Sequence, residues 1–112
     1  MTPDAPPPTI ERLLDGPIGS TGTLELLLLL RAASGRAQHV EELSSAIGSP
    51  PSWTALQLEA LEGGRLVSRS AGDRGWSYAP ATPRLAAAVD ELAGVWQRDR
   101  RSVTRWLLRP RG

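Results

Sequence analysis

The strongest pattern in the chain is a run of leucines that predicts a buried helix. Ser20 or Thr21 opens this helix and the pair Ser34-Gly35 closes it. Six leucines fall between positions 24 and 30, so apolar side chains occupy nearly every side of the helix. A helix without a polar face must be covered by other elements, and we therefore expect this one at the centre of the fold.

Two shorter helices follow, and their spacing predicts a helix-turn-helix. The first begins at His39, where Glu42 stands at the third helical position of a capping box, and it ends at Gly48. The second begins at Ser49-Pro50-Pro51 and ends at Gly63-Gly64, with proline in the first turn, where its missing N–H costs nothing. Its apolar face is expected to point inward and consists of Thr54, Leu58 and Leu61. Two short helices joined by a tight turn with glycine are typical of this motif.

The segment behind the third helix predicts a β-hairpin. Arg65–Arg69 and Trp76–Ala79 are predicted strands, and the glycine-rich segment Ser70–Gly75 is the turn between them. Trp76 and Tyr78 alternate with a serine, so both are expected to face the body of the domain. A hairpin directly behind a helix-turn-helix is a wing.

The last part of the chain predicts one long helix from Pro83 to Arg100 or beyond. Apolar residues recur there at steps of four, three and four. The segment Val103–Leu108 either continues the helix or forms a short strand, and the pattern does not decide between them. A helix of this length would extend past so small a domain, so we expect its far end to pack on a second copy in a homodimer. The residues predicted for this interface are Trp96, Val103 and Trp106.

Taken together, these elements predict a single α+β domain with winged helix-turn-helix architecture. Residues 1–19 form a proline- and glycine-rich lead-in, and residues 20–82 form the winged-helix core. Residues 83–112 supply the long C-terminal helix, the expected dimer contact and a basic tail.

The end of the third helix carries a resemblance to a known family. The stretch Leu58–Val67 reads LEALEGGRLV and is similar to the pattern L-x-x-L-x-x-x-G-L-[VI] of MarR-type bacterial regulators, with Arg65 in place of the glycine. The chain as a whole resembles small bacterial winged-helix proteins of unassigned function. This resemblance implies a cytoplasmic, often dimeric regulator that places its third helix in the DNA major groove and its wing on the backbone.

Composition argues against an enzyme. The chain contains no cysteine and one histidine, and all 13 of its basic residues are arginine. Thiolate ligands, lysine bases and the usual nitrogen and sulfur zinc sites are therefore excluded. We expect no catalytic residues, no metal site and no cofactor. The N-terminus lacks the features of a signal peptide and no apolar run is long enough to span a membrane, which predicts a cytoplasmic protein without a membrane partner.

The distribution of charge favours DNA as a partner. Residues 1–62 carry three arginines against eight acidic residues, whereas residues 84–112 carry seven against three. The wing and the C-terminal arginines would contact phosphates, while the third helix would contribute base contacts. The residues predicted to bind nucleic acid are Ser52, Trp53, Gln57, Arg65, Arg69 and Arg74.

A second hypothesis is a winged helix that binds a regulatory protein and no DNA. The third helix has no basic residue and presents an apolar stripe on its outward side. Exposed apolar patches rimmed by charge mark protein interfaces. Trp53 and Leu56 would be the anchors of this surface.

Overall fold

Six α-helices and one two-stranded antiparallel sheet make up the part of the chain that the structure, a computed structural model, describes: residues 5–33, 36–70, 72 and 75–109. The protein is therefore α-rich and belongs to the α+β class, as predicted. The elements in chain order are α1 Pro8–Asp15, α2 Thr21–Ala32, α3 Val40–Ile47, α4 Pro51–Gly63, β1 Val67–Arg69, β2 Trp76–Tyr78, α5 Pro83–Arg98 and α6 Arg100–Leu108.

Helix α2 lies at the centre, which confirms the expectation for the leucine run. Ser20 caps its N-terminus by accepting a hydrogen bond from the backbone N–H of Thr23 at 3.2 Å. Four of its leucines are fully buried, and Leu28 and Leu29 pack against the same core. Helices α3 and α4 and strand β2 all contact α2.

Helices α3 and α4 lie where the sequence predicts them and contact each other across a short turn. The Glu42 carboxylate accepts a hydrogen bond of 3.0 Å from the backbone N–H of His39, the N-cap residue of α3. Gly48 ends α3 with a left-handed φ of +70°, a conformation that glycine adopts without steric cost. The Ser49 N–H then bonds to the Ser44 carbonyl at 3.0 Å, and α4 begins at Pro51.

The predicted hairpin is also present. Val67 pairs with Tyr78 and Arg69 with Trp76 in an antiparallel ladder. An isolated bridge that the sequence did not predict adds Gln38 to the outer side of β2, through two hydrogen bonds of 2.8 Å with the Trp76 backbone. Trp76 is buried and Tyr78 is half-buried against the core, so both side chains face the body of the domain.

Part of the predicted N-terminal lead-in is helical. Residues 8–15 form α1, which packs on α5, and Ile10, Leu14 and Ile18 are fully buried. The prolines concentrate before and at the start of this helix, where their missing N–H groups are tolerated. Residues 1–4 of the expected lead-in lie outside the described residues.

The C-terminal segment corrects the prediction of one long helix. Helix α5 ends at Arg98, and Asp99 (φ −154°, ψ 75°) starts the separate helix α6, which covers the undecided segment 103–108. The Asp99 carboxylate accepts hydrogen bonds from the Ser102 hydroxyl at 2.6 Å and from the Ser102 N–H at 3.2 Å. These hydrogen bonds hold the pKa of Asp99 below its ordinary value. Asp99 therefore ends α5 and caps the N-terminus of α6, at a position where the sequence predicts a continuous helix.

Because of this break, α6 packs against helices of the same chain. Helix α6 contacts α1, and the Arg109 guanidinium lies 3.0 Å from Asp15 and 3.4 Å from Glu11. The three residues predicted to form a dimer interface are consequently core residues, namely Trp96, Val103 and Trp106, with 7%, 0% and 7% exposure. The length of the expected helix indicated a second chain, but these side chains are buried within one chain. No helix among the described residues is long and apolar enough to cross a membrane.

The Gly63-Gly64 pair at the end of α4 gives a matched test of this packing. A methyl group at Gly64 would lie 2.6 Å from two carbons of the Pro17 ring, whereas one at Gly63 would meet nothing within 4 Å. We expect Gly64→Ala to lower the free energy of unfolding by about 1–3 kcal/mol through overpacking. Gly63→Ala is expected to leave it unchanged or raise it by up to about 1 kcal/mol. Urea denaturation measures both, and equal effects would contradict this packing.

Candidate functional site

The outward face of α4 is the most distinctive surface of the protein. Thr54, Leu58 and Leu61 are buried, which confirms the predicted inner face. The opposite side presents Ser52 and Leu56, and Leu56 is 62% exposed. Only one other large apolar residue among those described is exposed, at the end of α6. A leucine this exposed on a regular helix is a candidate anchor for a partner.

Two residues predicted to contact DNA bases are engaged inside the domain. The Trp53 ring lies over the start of α2, where a Cβ atom at Gly22 would approach it to 2.9 Å. The Gln57 Oε1 accepts a hydrogen bond of 2.8 Å from the buried hydroxyl of Thr23. Both side chains therefore fasten α4 to α2. Sequence reasoning missed Gly22 and Thr23, although a glycine and a threonine in the first turn of an apolar helix indicate a close contact.

The charge around this face is negative. Glu41 and Glu42 are exposed on α3, and Glu59 and Glu62 are exposed on α4. Neither helix contains a basic residue. Carboxylates at this density repel phosphate groups and attract cationic surfaces. The outward side of α4 thus carries an exposed leucine and two exposed carboxylates, and we call Leu56, Glu59, Ala60 and Glu62 the α4 face.

Arg65 is exposed beside the α4 face and has an unusual backbone. Its φ of +63° is the one left-handed value outside glycine among the described residues. Its N–H bonds to the Glu62 carbonyl at 2.9 Å and the Leu66 N–H bonds to the Leu61 carbonyl at 3.0 Å. These two bonds form a Schellman motif, whose left-handed position normally holds glycine. Arg65 therefore occupies the glycine position of the resembled pattern both in sequence and in conformation.

Of the two other arginines predicted in the hairpin, the structure describes Arg69. The Arg69 guanidinium lies 4.5 Å from the ring centre of Trp76, its partner in the ladder, in cation–π geometry. Arg69 is nevertheless exposed and is available to an anion. Arg74 lies outside the described residues.

The C-terminal arginines serve the fold in different ways. Arg100 stacks on Trp96 at 4.9 Å, and Arg109 joins α6 to α1. Arg98, Arg101 and Arg105 are exposed, and Arg105 donates a hydrogen bond to Ser102 at 3.1 Å. Arg100 and Arg109 of the basic tail therefore make contacts within the fold.

Comparisons with known proteins give this surface no assignment. A scan against protein-family models found no match, and searches of the curated proteins and of the solved structures found no similar protein. The described residues contain no group of three His, Cys, Asp or Glu side chains placed to hold a metal ion. The case for a function therefore depends on the chemistry of the surface itself.

The backbone of Arg65 provides a test of the α4 terminus. We expect Arg65→Gly to raise the free energy of unfolding by about 1 kcal/mol, because glycine adopts a positive φ without a steric penalty. Arg65→Ala removes the same guanidinium but keeps the strained backbone, so it should bring no such gain. Thermal denaturation of the two variants makes the comparison, and equal stability would show that the φ of Arg65 carries no cost.

Proposed function

We propose that residues 21–79 form a winged helix of the kind used by bacterial regulators. The order of the elements supports this proposal: α2, then the helix-turn-helix of α3 and α4, then a hairpin. The bridge at Gln38 supports it further, because it extends the sheet beside β2 in the same domain. A regulatory module of this kind would act in the cytoplasm.

We further propose that this winged helix binds a protein partner through the α4 face. The observation that carries the proposal is Leu56, which is 62% exposed on a helix whose exposed charges are all acidic. Of the three residues predicted to read DNA from this helix, Trp53 and Gln57 contact α2, and only Ser52 is exposed. The exposed Leu56 suits an apolar pocket, and the exposed carboxylates of Glu59 and Glu62 repel phosphate groups.

Charge complementarity defines the partner's chemistry. Glu59 lies about one turn from Leu56 on α4, and Glu62 lies further along the same helix, so both would pair with arginine or lysine on the facing surface. Leu56 would fit an apolar depression beside those cations, where burial of its side chain contributes roughly 1.5–3 kcal/mol to the binding free energy. The proposed partner is therefore a protein with a basic surface around an apolar pocket.

The matched pair Leu56→Asp and Leu108→Asp tests this function. Leu108 is 78% exposed but lies on α6, away from the α4 face. We expect immobilised wild-type protein and Leu108→Asp to capture the same proteins from the source cells, whereas Leu56→Asp loses at least about tenfold of the signal. Quantitative mass spectrometry of the captured proteins is the measurement. Equal recovery by both variants would exclude Leu56 as the anchor.

DNA binding through the hairpin is the second candidate function, and the conformation of Arg65 favours it. An arginine held at a left-handed φ carries a strain that substitution by glycine would remove, and strain of this kind clusters at functional sites. The Arg65 guanidinium makes no hydrogen bond or ion pair with the described residues, and the exposed Arg69 lies on the adjacent strand. Arg74 and the exposed C-terminal arginines would add phosphate contacts.

Fluorescence anisotropy with a random-sequence duplex separates the two functions. If the α4 face is a protein site, wild-type protein should show no saturable binding at physiological salt, while Glu59→Arg with Glu62→Arg should introduce it. If the hairpin binds DNA, wild-type affinity should fall steeply with salt, with a slope of about 0.9 per phosphate contacted. Arg69→Ala and Arg74→Ala should each reduce that slope, while Arg36→Ala, a change at an exposed arginine outside the hairpin, should leave it unchanged.

A further inference from the structure

The first turns of α1 and α5 enclose a groove that the proposed function does not use. Its volume is about 340 Å³, within the range of small-molecule pockets. Leu13, Leu85 and Ala88 form an apolar floor, in which Leu13 and Ala88 are buried core residues and Leu85 is half-buried. The groove therefore offers an apolar surface that is continuous with the core.

Two arginines line the same groove and have no partner among the residues that the structure describes. Arg12 of α1 and Arg84 of α5 are exposed. Neither makes a hydrogen bond, ion pair or aromatic contact with the residues that the structure describes. Two guanidinium groups beside an apolar floor combine positive charge with apolar surface, a combination that suits an amphipathic anion.

The carboxylates on α1 and α5 contact other residues of the protein. On α1, Glu11 and Asp15 hold Arg109. On α5, Asp90 holds Arg31 through two hydrogen bonds of 2.9 and 3.1 Å, and Glu91 accepts a hydrogen bond of 2.7 Å from the Thr9 hydroxyl. Three of the four acidic residues on α1 and α5 therefore pair with Arg31 or Arg109, and among the described residues none pairs with Arg12 or Arg84.

We propose that this groove binds a small organic anion, specifically a carboxylate attached to a short aliphatic chain. The chain would lie on the floor formed by Leu13 and Leu85, where apolar contact drives its burial. The carboxylate would accept hydrogen bonds from Arg12 and Arg84, whose planar guanidinium groups match carboxylate geometry. Because the groove is open to solvent, the dissociation constant for a probe such as octanoate is on the order of 1 mM.

Titration of the full chain with octanoate, followed by the backbone amide resonances of the first turns of α1 and α5, tests the proposal. Octanoate should give saturable shifts there, and octylammonium, with the same chain and the opposite charge, should not. Arg12→Gln and Arg84→Gln should each weaken octanoate binding by about 3- to 10-fold. Arg36→Gln, at an exposed arginine outside the groove, should leave the affinity unchanged.

Three results would overturn the site. The first is equal binding of octanoate and octylammonium, which would reduce the groove to an unspecific apolar surface. The second is unchanged octanoate affinity in the double variant of Arg12 and Arg84. The third is the absence of saturable shifts at these amides up to about 20 mM octanoate. None of these measurements involves Leu56 or DNA, so their outcome is independent of the proposed function.

Discussion

The all-round apolar surface of α2 is the constraint on which the rest of the structure depends. A helix with leucine on nearly every side is stable in water only when other elements cover all of those sides. One continuous core achieves this, with residues from every helix and both strands, among them Ile10, Leu43, Val89 and Val103. Side chains that a longer, straighter C-terminal helix would have offered to a second chain are used here to complete this core.

Ion pairs and caps then fix the covering elements in place. Arg109 connects α6 to α1, and Arg31 connects the end of α2 to α5 through Asp90. Surface ion pairs contribute little individually, typically below about 1 kcal/mol, so their effect here is to select one arrangement of the helices. They also engage three of the four carboxylates on α1 and α5, namely Glu11, Asp15 and Asp90. The acidic residues of α3 and α4, by contrast, form no ion pair with the described residues.

Much of the domain was predictable from sequence because its signals are local. The caps of α2 and α3, the proline start of α4 and the hairpin residues all act within a few positions, and each element lies where they indicate. The break at Asp99 was not predicted, because the apolar spacing through Trp96 continues a helical pattern and gives no sign of the cap that Asp99 makes with Ser102. The role of Gln57 was equally out of reach, since it depends on the long-range contact with Thr23.

Helix α6 folds back and completes the core of one chain, and amide hydrogen exchange of the full protein can test this arrangement. Amides in the buried turns of α2 should exchange only through global unfolding. We expect the amides of Val103, Trp106 and Leu107 to be strongly protected from exchange as well, since their side chains belong to the same core. Exchange of these α6 amides at the rate of an unfolded peptide, while α2 stays protected, would contradict it.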